Sequence, residues 1–174
     1  ARLTLIAAPA GYGKTTLLSA WAASRDLPTA WLSLDDEDND PVRFLRYVVA
    51  ALRAVRPDVG REAEAMLRAP EPPPPESVLI FLIYDLAAPA GAPARTASAQ
   101  TAPRKPVVLV LDDYHVLGAA TVHQAVTFLI DHLPPALRLI LASRVDPPLP
   151  IHRWRARQQM VELRADDLRF TPAE

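Results

Sequence analysis

The 174-residue chain contains no cysteine, and this absence excludes both a disulfide framework and a metal site built on cysteine thiolates. It also lacks a surplus of positive charge: its formal net charge is −1, whereas nucleic-acid-binding domains are usually strongly basic. No apolar run approaches the ~20 residues that a membrane-spanning helix needs. Since no signal peptide is visible either, we expect a cytoplasmic chain that does not enter a membrane.

Lysine is almost absent as well, because only Lys14 and Lys105 are lysines among the 19 basic residues. Arginine takes the place of lysine nearly everywhere else. A phosphate-binding loop is a place where lysine acts as a compact point charge, which the planar fork of arginine does not replace well. Lys14 stands in such a loop, so its presence indicates a functional charge; the alternative is chance retention of one of two lysines.

A motif for binding nucleotide phosphates lies near the start of the chain. The apolar residues 3–8 predict a strand, and the small residues after them lead into a helix predicted over Lys14–Ser24. In such a motif the loop amides and the positive end of the helix dipole bind phosphate, the lysine reaches the β- and γ-phosphates, and the Thr15 hydroxyl ligates Mg²⁺. The predicted nucleotide-binding residues are Ala10, Gly11, Tyr12, Gly13, Lys14, Thr15 and Thr16. Ala8 replaces the glycine that usually opens the motif, which is tolerated if its φ is negative; the alternative is a glycine-rich turn without a ligand.

Two carboxylates follow the apolar run 107–111, which predicts a strand buried on both faces of a parallel sheet. Ligands of open α/β sheets bind at the carboxyl ends of the strands, so we expect Asp112 and Asp113 to lie beside the phosphate loop. Asp112, together with Thr15, is predicted to hold Mg²⁺. Asp113 is predicted to be a catalytic residue that orients the attacking water. The alternative is that both aspartates merely end a strand and begin a turn.

Arg144 follows the next apolar strand, predicted over 137–142. At the end of that strand a cation would lie on the γ-phosphate side of the cleft, where it could distinguish a triphosphate from a diphosphate. Arg144 is therefore predicted to be a second catalytic residue that senses the γ-phosphate. An ordinary surface arginine is the alternative.

Strands and helices alternate along the chain. Further strands are predicted over 29–34 and 157–163, and further helices from Pro41 and over 61–68, 77–88 and 122–133. This alternation predicts an α/β fold, a P-loop NTPase with three α/β/α layers and a mainly parallel central sheet. Two proline-rich segments interrupt the pattern: 71–75 is predicted to be an extended spacer and 89–106 a flexible loop.

Other polar clusters carry weaker signals. The acidic stretch 35–40 lacks the glycine turn and the terminal glutamate of a calcium loop, so we expect a solvated turn in which Asp40 caps the next helix. The three arginines of 153–157 are expected to form a solvated face or a domain contact, with a phosphate-binding lid as the alternative. The isolated histidines are expected on helix surfaces or hydrogen-bonded in the core; they are His115, His123 and His132.

Several segments together resemble the large ATP-binding LuxR-type transcriptional regulators, which belong to the STAND class of signal-transduction ATPases. The resemblance spans nearly the whole chain and is specific in its combined motifs. Its segments are 7–18, 31–44, 109–115, 132–135, 141–150 and 168–172. The proline-rich segments 71–75 and 89–106 match nothing in that family.

The resemblance implies a regulatory switch that binds ADP at rest, takes up ATP and self-associates when an inducer acts, and resets by slow Mg²⁺-dependent hydrolysis. It implies a nucleotide-binding domain over 1–170 and the start of a following, truncated helical or winged-helix region at 171–174. The inducer-binding repeats and the DNA-binding helix-turn-helix would then lie beyond this fragment, which is not expected to bind DNA directly. A small-molecule kinase with the same loop is the alternative function, and a degenerate domain without nucleotide is a third.

Overall fold

The computed structural model describes residues 2–88 and 105–168. Most of the loop predicted over 89–106 and the region predicted to begin at 171 lie outside the described residues. Five strands form one all-parallel sheet with the order β2-β3-β4-β1-β5. The strands are β1 (Leu3–Ala7), β2 (Thr29–Ser33), β3 (Val107–Asp112), β4 (Leu137–Ser143) and β5 (Met160–Arg164).

Helices connect these strands. They are α1 (Lys14–Ser24), α2 (Pro41–Val55), α3 (Arg61–Leu67), α4 (Pro75–Ala87), α5 (Ala120–Asp131) and α6 (Ile151–Ala156). Short 3-10 turns occupy Asp36–Asn39, Tyr114–Val116 and Ala165–Leu168. Within residues 2–88 and 105–168, every helix is too short or too polar to cross a membrane.

Helices pack against both faces of the sheet, because alternate side chains of each buried strand point to opposite faces. On one face, Val108 and Val110 of β3 pack with Leu18 of α1. On the other face, Leu109 and Leu111 of the same strand belong to a larger core that includes side chains of α2, α3, α4 and α5. The layers and the parallel sheet confirm the predicted α/β class and are consistent with a P-loop NTPase-like three-layer fold.

The strand order determines which predicted residues can meet. Strand β4 lies between β1 and β3, with Leu139 opposite Leu3 on one side and Leu109 on the other. The loop after β1, the aspartates at the end of β3 and the arginine after β4 therefore follow three adjacent strands. Since all strands are parallel, these segments leave the sheet at the same edge.

Several element boundaries differ from the predictions by one to three residues; helix α5, for example, covers Ala120–Asp131 rather than 122–133. Helix α4 begins at Pro75 rather than at Ser77, because proline is favoured in the first turn of a helix. Strand β5 begins at Met160 rather than at Arg157: Arg157 ends the unpredicted helix α6, and Gln158 turns the chain with a φ of 54°. Helix α6 has only six residues, too few for a recognisable apolar period.

The arginines around Trp154 make contacts within the described chain. Arg153 forms an ion pair with Asp131, and the Trp154 indole N–H donates to the same carboxylate over 2.8 Å. Arg155 binds Glu162 of β5 with Nε 2.6 Å from Oε1. These pairs attach α6 to α5 and β5, so Arg153 and Arg155 have structural partners.

Candidate nucleotide-binding site

The loop between β1 and α1 has the backbone conformation that its glycines allow. Gly11 has a φ of 86° and Gly13 a φ of 69°, a left-handed region that disfavours residues with a Cβ. A Cβ added at either position would meet no atom within 4 Å, so the backbone conformation and not packing requires glycine. Ala8 is not among the positive-φ residues, which confirms the condition under which alanine is tolerated there.

Helix α1 begins directly after this loop. Gly13 is its N-cap residue and supplies no side-chain hydrogen bond, and no acidic side chain lies in the first turn. The first-turn amides of Lys14, Thr15 and Thr16 thus face the carboxyl edge of the sheet without a side-chain cap. Unpaired amides at the positive end of a helix dipole form a binding site for anions.

Lys14 is a buried cation. Among the described residues, its ammonium group donates hydrogen bonds only to backbone carbonyl groups. Its Nζ donates to Ala8 O over 2.7 Å and to Pro9 O over 3.0 Å, and the residue is 8% exposed. Burial lowers the pKa of Lys14, and the charge of Arg144 lowers it further, while Asp113 and Asp112 oppose the change. A bound phosphate would supply the anion that this desolvated ammonium lacks.

Thr15 and Asp112 are brought together as predicted. The Thr15 hydroxyl donates to Asp112 Oδ2 over 2.9 Å, although the two residues are 97 positions apart. Asp112 is 2% exposed, and its Oδ1 accepts the Asp113 N–H over 2.9 Å, which fixes the orientation of the carboxylate. A hydroxyl and a carboxylate are hard oxygen ligands that suit Mg²⁺.

The described residues contain no group of three or more histidine, cysteine or acidic side chains that could hold a metal ion by themselves. This agrees with the way in which Mg²⁺ usually binds, through one or two protein oxygens together with substrate phosphates and water. The hydroxyl of Thr15 and the carboxylate of Asp112 are a donor set that fits a magnesium ion arriving with a nucleotide.

Asp113 adopts a conformation that is rare for a residue other than glycine. Its φ is 57° and its ψ 35°, and it begins the turn Tyr114–Val116. Such a left-handed residue costs on the order of 1 kcal/mol and persists only where neighbouring contacts fix it. The Asp113 side chain is half-exposed at this edge of the sheet, where a water molecule could reach its carboxylate.

His115 belongs to this cluster, whereas the sequence pattern indicated only an ordinary surface or core histidine. Its Nδ1 lies 3.8 Å from Asp113 Oδ1 and has no hydrogen-bond partner among the described residues. Burial lowers the pKa of His115, as do the charges of Arg144 and Lys14, while Asp113 and Asp112 raise it. The signals in the sequence were its position two residues after Asp113 and its place at the end of the segment 109–115, which carries part of the family resemblance.

Arg144 is exposed just beyond β4. Its charge lowers the pKa of both Lys14 and His115, which places it within electrostatic range of the loop and of the turn after β3. The preceding residue, Ser143, is fully buried, and its hydroxyl has no partner in the described chain. Sequence reasoning did not single out Ser143.

The predicted site residues thus gather at one edge of the sheet. The Thr15 hydroxyl contacts the Asp112 carboxylate, which also accepts the Asp113 N–H. The charges of Asp112, Asp113 and Arg144 all shift the pKa of Lys14. The remaining loop residues Ala10, Gly11, Tyr12 and Gly13 and the first-turn residue Thr16 line the same connection between β1 and α1. The fold is therefore a parallel α/β domain, consistent with a P-loop NTPase-like three-layer fold, and these residues meet at the carboxyl edge of its sheet.

The chain is similar to HTH-type transcriptional regulators named MalT. It is 36% identical to the protein from Serratia proteamaculans, 38% to that from Cronobacter sakazakii and 37% to that from Yersinia enterocolitica, over 173 residues in each case. Each comparison covers 99% of this chain and 18% of the relative, so the chain spans less than a fifth of the length of these relatives. No family model matches the chain.

Proposed function

We propose that this chain is the nucleotide-binding switch domain of a MalT-like transcriptional regulator of the LuxR type. In this proposal it binds ATP or ADP with Mg²⁺ and hydrolyses ATP slowly. The signalling state of the domain then depends on whether ATP or ADP is bound. The observation that carries the proposal is the buried Lys14, whose ammonium group donates only to carbonyl oxygens among the described residues, beside the contact between Thr15 and Asp112.

Each site residue then has a distinct task. Lys14 and the loop amides hold the β- and γ-phosphates, and Thr15 and Asp112 hold Mg²⁺, which would neutralise phosphate charge. Asp113 accepts a hydrogen bond from the attacking water and orients it. Arg144 interacts with the γ-phosphate and makes the site sensitive to its loss.

The partners follow from the same proposal. The ATP-bound domain would associate with further copies of itself, whereas the ADP-bound domain would stay at rest. With 19 basic and 20 acidic residues the sequence has no surplus of positive charge, so the proposal assigns DNA binding, which depends on contacts between basic residues and phosphates, to another part of the regulator.

The proposal predicts that nucleotide stabilises the folded chain. At 100 times its Kd a ligand adds about 2.7 kcal/mol to the unfolding free energy, which for a chain of this size is a melting shift of roughly 5–11 °C. Lys14→Met removes a charge-assisted contact worth about 1.5–3 kcal/mol. At the same nucleotide concentration the stabilisation should then fall to roughly 0.3–1.3 kcal/mol, at most about half of the wild-type effect.

Lys105→Met is the matched control, because Lys105 is the only other lysine and pairs with Asp26 on the surface. Its melting shift with Mg²⁺ and ATP or ADP should equal that of the wild type. Equal shifts in wild type and Lys14→Met would show that Lys14 does not bind phosphate.

A further inference from the structure

The side chain of Asn39 connects two loops at the carboxyl edge of the sheet. Its Oδ1 accepts the N–H of Gly118 over 2.7 Å and the N–H of Ala119 over 2.8 Å. Its Nδ2 donates to Asp36 O over 2.9 Å and to Val116 O over 3.3 Å. One amide group thus makes four hydrogen bonds, and three of them reach a segment that is 77–80 positions away.

That distant segment carries Asp113 at its beginning. Asp113 O accepts the Val116 N–H over 3.1 Å, which closes the turn after β3, and Asp112 Oδ1 accepts the Asp113 N–H. The carboxylate of Asp112 therefore fixes one end of 113–119, and the amide of Asn39 fixes the other. A left-handed non-glycine residue needs such constraints on both sides to remain in place.

Asn39 is itself held on a rigid support. Asp35 Oδ1 accepts the Glu37 N–H over 2.9 Å, and Asp38 Oδ2 accepts the Asp35 N–H over 3.0 Å, so the acidic turn is capped in both directions. Asp40 then caps α2 by accepting the Arg43 N–H over 2.7 Å, as the sequence predicted. The Arg43 guanidinium also pairs with three of the carboxylates, those of Asp35, Glu37 and Asp38.

We propose that Asn39 is a positioning residue for hydrolysis, which holds the segment 113–119 so that Asp113 keeps its left-handed conformation toward the nucleotide. The inference rests on the proposed function and adds to it a task for the acidic stretch 35–40. None of the four hydrogen bonds of Asn39 goes to the loop between β1 and α1, so its loss should slow turnover and leave nucleotide affinity unchanged.

The test compares Asn39→Ala with the wild type in steady-state ATP hydrolysis and in ADP binding. We expect kcat to fall roughly 10-fold or more, while the Kd for ADP stays within about 3-fold. When Asp113→Asn is already present, Asn39→Ala should change kcat less than about 2-fold. The reason is that two substitutions that act through the same group do not have additive effects. An unchanged kcat in Asn39→Ala, or a full further loss in the Asp113→Asn background, would overturn the inference.

Two further variants separate positioning from general damage. Asn39→Asp keeps the two accepted hydrogen bonds and loses the two donated ones, so its kcat should lie between those of wild type and Asn39→Ala. Asp85→Ala removes a comparable bond, from Gly60 N–H to Asp85 Oδ2 over 2.8 Å, on α4 away from the site. It should destabilise the chain without lowering kcat; an equal loss of kcat in Asp85→Ala would show that Asn39→Ala acts through stability alone.

A measurement that needs no nucleotide tests the positioning role of Asn39 separately from the proposed function. Hydrogen exchange of the Gly118 and Ala119 amides should accelerate in Asn39→Ala relative to the wild type, since both lose their acceptor. Unchanged exchange would overturn the positioning role even if the wild type binds nucleotide. A wild type that neither binds nor hydrolyses ATP would overturn the proposed function itself.

Discussion

Glu162→Gln tests how the edge strand β5 is attached to the segment that follows Arg144. Glu162 Oε1 accepts from Arg155 Nε over 2.6 Å, and Glu162 Oε2 accepts from Arg164 Nε over 3.0 Å. Arg164 also pairs with Asp146, two residues beyond Arg144. The hydrogen bonds from Arg155 and Arg164 lower the pKa of Glu162 from 4.5 to about 2.

The size of the effect follows from this pKa. A pKa lowered from 4.5 to about 2 corresponds to at most about 3.4 kcal/mol of unfolding free energy, at 1.36 kcal/mol for each pH unit. The Arg155 side chain is 58% exposed, so water screens the pair, and we expect about 1–2 kcal/mol. For a chain of this size the melting temperature should fall by roughly 2–8 °C.

The direction of the pKa shift of Glu162 determines whether its stabilisation is lost at low or at high pH. Because the folded-state pKa of Glu162 is depressed, its stabilisation is fully present above the unfolded value near 4.5 and is lost as the pH falls through about 2. Urea unfolding followed by circular dichroism should therefore show a difference between wild type and Glu162→Gln at pH 7 that shrinks below pH 4.5.

Glu37→Gln is the control for an exposed ion pair. The Glu37 side chain is 74% exposed where it pairs with Arg43, so its loss should cost less than about 1 kcal/mol. Equal stability of Glu162→Gln and wild type at pH 7, or a difference that persists unchanged at the lowest pH, would refute the reasoning about β5.

Three further predictions concern the site and its histidines. Asp113→Asn should lower the rate of ATP hydrolysis while ADP binding, measured by calorimetry, persists; a wild-type rate would exclude the water-orienting role. Arg144→Ala should narrow the difference between the affinities for ATP and ADP, and an unchanged ratio would exclude γ-phosphate sensing. Burial lowers the pKa of both His115 and His123, so their contribution to stability is present above the unfolded value near 6.5 and is lost as the pH falls below it. Urea unfolding between pH 8 and 5 should show this decline, and a rise in stability over the same range would contradict it.

The positions of the main site residues could be predicted because each follows an apolar strand or opens a helix. The prediction of α1 over Lys14–Ser24 is confirmed, since the glycines before it and the apolar residues within it are local signals. Asp112 could be predicted to meet Thr15 because parallel strands bring their carboxyl ends to one edge. These inferences needed only periodicity and a motif.

The unpredicted features depend on contacts between distant parts of the chain. Aspartate tolerates a left-handed φ better than most residues, but its residue type alone does not predict the φ of 57° at Asp113. The hydrogen bond from the Gly118 N–H to Asn39 Oδ1 connects loops that follow different strands. The participation of His115 depends on the course of the turn after β3, which starts from that same unusual φ. Helix α6 was missed because six residues with two buried side chains, Ile151 and Trp154, are too short for a periodic signal.

Calorimetric titration of ADP with and without Mg²⁺ tests most directly whether Lys14, Thr15 and Asp112 form a magnesium–nucleotide site. The wild type should bind ADP at one site per chain, and chelation of Mg²⁺ should weaken this binding. In Asp112→Asn the factor by which Mg²⁺ raises the affinity for ADP should fall roughly 10-fold or more. Without Mg²⁺, this variant should bind ADP nearly as tightly as the wild type. Wild-type binding that is indifferent to Mg²⁺, or an Asp112→Asn protein that responds to Mg²⁺ as fully as the wild type, would contradict the account.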